Sequence, residues 1–216
     1  MVLNRKELTE AITRALEDKG KRKFTQSVEI IVNLKGIDFT KPENRLNLDV
    51  VLPRGKGKKC EIAVFADGQL AVDAKAAGAE RIIAGSEIAT MAADKAKLKN
   101  FVSKYEFLAQ PQLMMQIGKS LGQVLGTRGK LPKPAAGDVK GLIERTRKTV
   151  KIKSKGKYLP NSMCLFGNET MTVEDLADNA EAVYDAIKNK IGGDQNIRSV
   201  LVKLSMGKPQ KVQANG

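Results

Sequence analysis

Apolar and polar residues alternate in three separate stretches. Val28, Ile30, Val32 and Leu34 form the first, Leu46, Leu48, Val50 and Leu52 the second, and Val200, Val202 and Leu204 the third. Period two marks a strand with one buried face. Strands are therefore expected at 27–34, 46–52 and 199–205, with the first two pairing together. Two other stretches carry the helical period. Leu8, Ala11, Ile12, Ala15 and Leu16 follow Asn4, a capping residue, with Glu7 three positions on and Gly20 as the stop. Val173, Leu176, Ala177, Ala180, Val183, Ile187 and Ile191 follow Thr172. That helix has its acids early and Lys188 and Lys190 late, as the helix dipole favours. Short strands are further expected at 150–153 and 163–166, beside the lysines 151, 153, 155 and 157.

Between these stretches the pattern changes. Ile62–Ala66 is an unbroken apolar run, as in a sheet buried on both faces. Helical segments at 69–77, 87–95 and after Pro111 then alternate with short strands at 81–84 and 105–109. Such alternation predicts a three-layer, Rossmann-like α/β domain. Neither flank would bury much surface alone. Joined, they form a two-layer α+β domain interrupted by the α/β domain. The expected division is 1–60 with 152–216, and 61–151 inserted. The joints at 53–59 and 151–157 are both basic and would lie side by side as a hinge.

Composition narrows the function. The chain has 216 residues with 38 basic and 24 acidic side chains, a net charge of +14. An excess of this size favours a polyanionic partner, nucleic acid first. There is no histidine, which excludes histidine-dependent metal sites and general bases. Cys60 and Cys164 stand far apart and form no C-x-x-C, so a reduced cytoplasmic protein is the simpler reading. No signal-like segment or membrane-length apolar run is present, and no membrane partner is expected.

Four stretches carry candidate chemistry. At 199–207, Ser199, Leu201, Lys203 and Ser205 share the exposed side of a strand that ends in Met206-Gly207, where glycine lets backbone approach a ligand. Lys21-Arg22-Lys23 run into Phe24 and the first strand. Arg54, Lys56 and Lys58 in the first joint are candidate phosphate contacts. A loop at 126–134 sets Arg128, Lys130 and Lys133 among glycines and prolines. Catalytic motifs are incomplete. Gly118-Lys119-Ser120 has Leu113 where a phosphate loop needs glycine, and it sits inside a helical pattern. Gly55-x-Gly57 lacks the third glycine of a dinucleotide site. Asp67 and Asp73 have no partner for a metal or base. The chain reads as a non-enzyme without cofactor or metal, the alternative being a nucleotide-dependent enzyme on the inserted domain.

Four motifs carry a family resemblance: Lys23-Phe24-Thr25-Gln26-Ser27-Val28, Leu52-Pro53-Arg54-Gly55, 125–134, and 199–207. In order and spacing, over nearly the whole chain, they resemble the archaeal type of the large-ribosomal-subunit protein one family. Departures are Ser205 where the family usually has threonine, Lys208 where it usually has proline, and Thr127 where proline is favoured. The resemblance implies a ribosome-bound protein whose discontinuous domain binds the mobile stalk of large-subunit ribosomal RNA beside the tRNA exit site. It also implies binding to a similar motif in its own messenger RNA, as a translational repressor. Matched by position, Lys23, Phe24, Ser27, Ser199, Lys203, Ser205, Met206 and Gly207 would be the RNA contacts. Serine hydroxyls suit 2′-hydroxyl and phosphate groups. Phe24 and Met206 would keep water from those bonds.

Overall fold

A computed structural model describes residues 3–154 and 159–213. The chain forms two compact units, one from Met1–Lys58 and Lys148–Gly216, the other from Lys59–Arg147. The first segment carries α1 (Arg5–Glu17), β1 (Ser27–Leu34) and β2 (Asn47–Val51). The middle segment carries β3 (Glu61–Phe65), α2 (Gly68–Ala76), β4 (Arg81–Ile83), α3 (Glu87–Ala93), α4 (Lys95–Lys104), β5 (Tyr105–Ala109), α5 (Met114–Thr127), β6 (Lys133–Pro134) and α6 (Val139–Lys148). The last carries β7 (Thr149–Lys153), β8 (Asn161–Asn168), α7 (Val173–Ile191), β9 (Ile197–Leu204) and β10 (Gln210–Lys211).

In the discontinuous unit, β10-β9-β1-β8 form an antiparallel sheet. Ile30, Val32, Val200, Val202 and Leu204 are buried on one face, together with Leu8, Ile12, Ala15, Leu176, Ala180 and Val183 of α1 and α7. The helices begin as read. Asn4 accepts from the Lys6 N–H at 2.9 Å, and Thr172 from the Asp175 N–H at 3.2 Å. Gly192 ends α7 with φ of 78°, the left-handed conformation that glycine adopts freely.

The expected pairing of the first two strands is overturned. Both edges of β1 are taken, by β8 and β9, so β2 pairs with β7 as a separate antiparallel ribbon. That ribbon starts at Thr149, and the second joint therefore lies ahead of position 151. Lysines 155 and 157 lie outside the described residues.

The other unit is a parallel sheet in the order β4-β3-β5-β6. Ala63, Phe65, Phe107 and Ala109 pack on one face with residues of α3, α4 and α5. Ile62, Val64 and Leu108 pack on the other with Ala74, Val139 and Ile143. The two cores make the expected three layers. The helix read at 87–95 breaks at Asp94, whose carboxylate accepts from Ala96 and Lys97 N–H groups and starts α4. The 126–134 stretch is not all loop, because Lys133–Pro134 pair with Leu108–Ala109 at the sheet edge. A proline is tolerated there because an edge strand has one unpaired side.

Candidate nucleic-acid interface

Alternation puts the other side chains of β8, β1 and β9 on the sheet face opposite α1 and α7. Pairing aligns them in rows: Leu165–Glu29–Lys203, Met163–Ile31–Leu201, and Asn161–Asn33–Ser199. All nine are part-exposed, in contrast to the buried residues between them. The surface has an aliphatic centre, a polar row at one end and the Glu29–Lys203 pair at the other. At one end the Asn33 amide donates to Ser199 Oγ at 2.9 Å, so the serine keeps its own proton to donate. At the other, the Lys203 ammonium lies 3.8 Å from Glu29 and donates to the Ser205 carbonyl at 3.2 Å.

The turn after β9 is anchored to the segment before β1. The Ser205 N–H donates to the Ser27 carbonyl at 3.0 Å, and the Ser205 hydroxyl reaches the same oxygen at 3.3 Å. The Met206 N–H donates to Gln26 Oε1 at 3.1 Å, and the Lys208 N–H to Asp18 at 2.8 Å. Gln26 is 1% exposed, and its amide also donates to the Lys19 carbonyl at 2.8 Å. These bonds bring the ends of a chain otherwise far apart in sequence to one place. Lys23, Phe24 and Thr25 are exposed on one strand entry; Met206 is exposed on the neighbouring turn. Phe24 is 51% and Met206 62% exposed, high for large apolar side chains. Gly207 has no left-handed φ. Its reason is space, since a Cβ there would lie 3.1 Å from Leu204 Cβ and 3.4 Å from the Asp18 carboxylate. Six of the eight predicted contacts therefore gather at this end: Lys23, Phe24, Ser27, Ser205, Met206 and Gly207. Lys203 faces the same end of the sheet, and Ser199 marks its opposite end.

The basic joint is more committed than its composition suggests. The Arg54 guanidinium lies 2.9 Å from Asp178 and 3.3 Å from Asp175, both on α7. Arg5 meets Asp178 at 2.7 Å as well. Bonding to Arg5 and then to Arg54 holds the Asp178 carboxyl below its ordinary range. Arg54 thus already has carboxylate partners. Lys58 is exposed and Lys56 half-buried. Asn179 is the residue that sequence reading missed here. Fully buried, it accepts from the Arg54 N–H at 2.9 Å and donates to the Gly55 and Phe166 carbonyls, each at 2.8 Å. An asparagine inside an apolar helical stripe was the available signal, as was Gln26 just ahead of a strand. In the other unit, Arg128 bonds to Ser103, and Lys130 donates to the carbonyls of Ser103 and Tyr105 at 3.1 and 2.9 Å. Those two cations serve the local fold.

Gly118-Lys119-Ser120 lies within α5, where no loop exists to wrap a phosphate. No group of three or more cysteine, aspartate or glutamate side chains that could hold a metal occurs among the described residues. None of the helices among these residues is long and apolar enough to cross a membrane. Burial pushes the Cys164 thiol up to about 12, with Glu29 adding to the effect, which leaves it unreactive.

Fold and site together define a basic two-unit α/β protein whose open sheet face and tethered turn are built for contact rather than catalysis. The chain belongs to the Ribosomal protein L1p/L10e family, whose pattern matches residues 14–208. It is 42% identical over 212 residues to the large ribosomal subunit protein uL1 of Methanocella arvoryzae, covering 96% of this chain and 99% of that one. It is 41% identical over 218 residues to that of Thermococcus kodakarensis, covering 99% and 100%. The protein of the same name from Methanocaldococcus jannaschii is 42% identical over 215 residues, covering 98% and 97%. This is a family of structural ribosomal proteins, not of enzymes.

Proposed function

We propose that this protein is a structural component of the large ribosomal subunit, and that its discontinuous unit binds the mobile stalk of the large-subunit ribosomal RNA near the tRNA exit site. In this reading the same surface binds a similar motif in the protein's own messenger RNA and represses its translation. Exit-site tRNA is then a neighbouring partner. The observation that carries the reading is the tether between the Lys23–Ser27 segment and the Ser205–Gly207 turn beside an uncovered sheet face. A cation, two exposed apolar side chains and two serine hydroxyls meet there on a pre-ordered backbone. Pre-ordering lowers the entropy lost on binding. Hydroxyl groups near a backbone turn suit the 2′-hydroxyls and phosphates of a folded RNA. Ser199 and Lys203 extend the contact along β9. Lys56 and Lys58 add phosphate attraction, and Arg54 contributes through the positive field of its joint.

The test compares a stalk-RNA fragment with a scrambled RNA of equal length at two salt concentrations. Wild type should prefer the stalk fragment at both. Replacing Ser205 and Met206 by alanine leaves net charge unchanged and should remove that preference. Equal binding of both RNAs by wild type, collapsing alike in salt, would leave only a non-specific basic surface. Repression is tested by translating the protein's own message with the purified protein added. A message lacking the stalk-like motif should escape inhibition, and equal inhibition of both messages would sink that part.

A further inference from the structure

At the end of the open face away from the Ser205 turn lies a recess of about 550 Å³, lined by Asn33, Asn161, Arg198, Ser199, Leu201 and Lys211 among others. Three features of it are unusual together. The first is a bulge. Asn33 pairs with Ser199 but Leu34 pairs with Ile197, so Arg198 is an extra residue on β9 with no partner across β1. A bulge turns its side chain out of the regular alternation and is a recurrent way to aim a residue at a site. Arg198 is exposed, and Lys211, opposite Leu201 on β10, is exposed too. The second is the Ser199 hydroxyl, which accepts from Asn33 and keeps its proton to donate. The third is the Asn161 side-chain oxygen, which is buried without a hydrogen-bond partner. Native interiors leave few acceptors in that condition, and each has a reason. The same side chain lines the recess.

We propose that this recess holds one nucleotide of the bound RNA, with its phosphate on Arg198 and Lys211 and its ribose 2′-hydroxyl on the row formed by Asn161, Asn33 and Ser199. A 2′-hydroxyl donates and accepts at once, and the Asn161–Asn33–Ser199 row offers it a free hydroxyl proton flanked by side-chain amides. Leu201 supplies an apolar floor for the sugar. Six residue steps separate Ser199 from Ser205 just past the end of β9, about 20 Å of extended chain. The RNA would therefore be held at both ends of the sheet face. The inference rests on the RNA-binding reading given above.

The test uses the full chain and the stalk-RNA fragment, with the scrambled RNA as reference. Arg198→Gln with Lys211→Gln should flatten the dependence of log affinity on log salt by about 0.7–0.9, the contribution of one phosphate. A control with the same charge change, Lys95→Gln with Lys99→Gln on the exposed side of α4, should leave the slope unchanged. Asn161→Ala removes an acceptor that has no partner, so the melting temperature should hold or rise while stalk affinity falls several-fold. A residue kept only for the fold would show the reverse. The proposal is overturned if the arginine–lysine variant keeps the wild-type slope, or if Asn161→Ala keeps wild-type affinity. If wild type itself fails to distinguish stalk from scrambled RNA, the failure belongs to the underlying RNA-binding reading.

Discussion

Gln26 offers the sharpest test of how the turn is held. Gln26→Leu keeps the side chain's approximate volume, opens no large cavity and leaves net charge alone. It removes the acceptor of the Met206 N–H at 3.1 Å and the donor to the Lys19 carbonyl at 2.8 Å. A longer bond to Glu169, at 3.4 Å, goes with them. Each neutral bond contributes about 0.5–1.5 kcal/mol net, and a donor left unpaired in a part-buried place adds to the loss. About 2–3 kcal/mol is therefore expected. For a unit of this size that lowers the melting temperature by roughly 10 °C. The second consequence concerns binding. A turn released from Gln26 must be ordered again when RNA arrives, at about 1–2 kcal/mol per backbone residue. Stalk-RNA affinity should then fall about tenfold or more, since 1.4 kcal/mol is a factor of ten. Thermal melts followed by circular dichroism and fluorescence anisotropy with labelled stalk RNA read the two effects separately. A variant that melts within about 2 °C of wild type would refute the anchoring argument. One that melts early yet binds stalk RNA with full affinity would show that the turn lies outside the interface.

Other expectations follow from the same geometry. Asn179→Ala breaks three bonds, one of them buried and two part-buried, that pin Arg54–Gly55 and Phe166 to α7; a loss of about 3 kcal/mol should appear as a lower urea midpoint with unchanged slope. Asp178 titrates below the ordinary aspartate value of 3.8 because Arg5 and Arg54 bond its charged form. A depressed folded-state value means the stabilisation is complete above the unfolded value and is lost as pH falls through the folded one. Urea midpoints measured from neutral pH down into the acid range should thus fall less steeply for Asp178→Asn than for wild type. Cys164, with its thiol pushed up to about 12, should react with a thiol reagent only after unfolding; labelling in native buffer at the rate of a free thiol would contradict its burial. Gly207→Ala places a Cβ 3.1 Å from Leu204 Cβ, so a modest drop in melting temperature should accompany weaker stalk binding.

Much of the fold could be read from one dimension. Period-two alternation identified β1, β2 and β9, because one side of each strand is buried against a core while the other is not. The helical stripes of α1 and α7 and their caps were readable for the same reason: capping is a local matter of one side chain and one N–H. The switch to unbroken apolar runs between 62 and 109 disclosed the parallel sheet, buried on both faces. Partners were another matter. Nothing local tells β1 that it will lie between β8 and β9, so its pairing with β2 looked natural and was wrong. β6 and β10, two residues each, carry no period and exist only because a neighbouring edge has free bonding groups. The candidate contacts divide the same way. Lys23, Phe24, Ser205 and Met206 were visible as residue types, but only tertiary hydrogen bonds through Gln26, Ser27 and Asp18 bring those two segments together. The recess at Arg198 and Asn161 could not have been anticipated at all. A bulge is a mismatch between two strands, and an unpaired acceptor is a relation among many atoms; neither is a property that one stretch of sequence possesses alone.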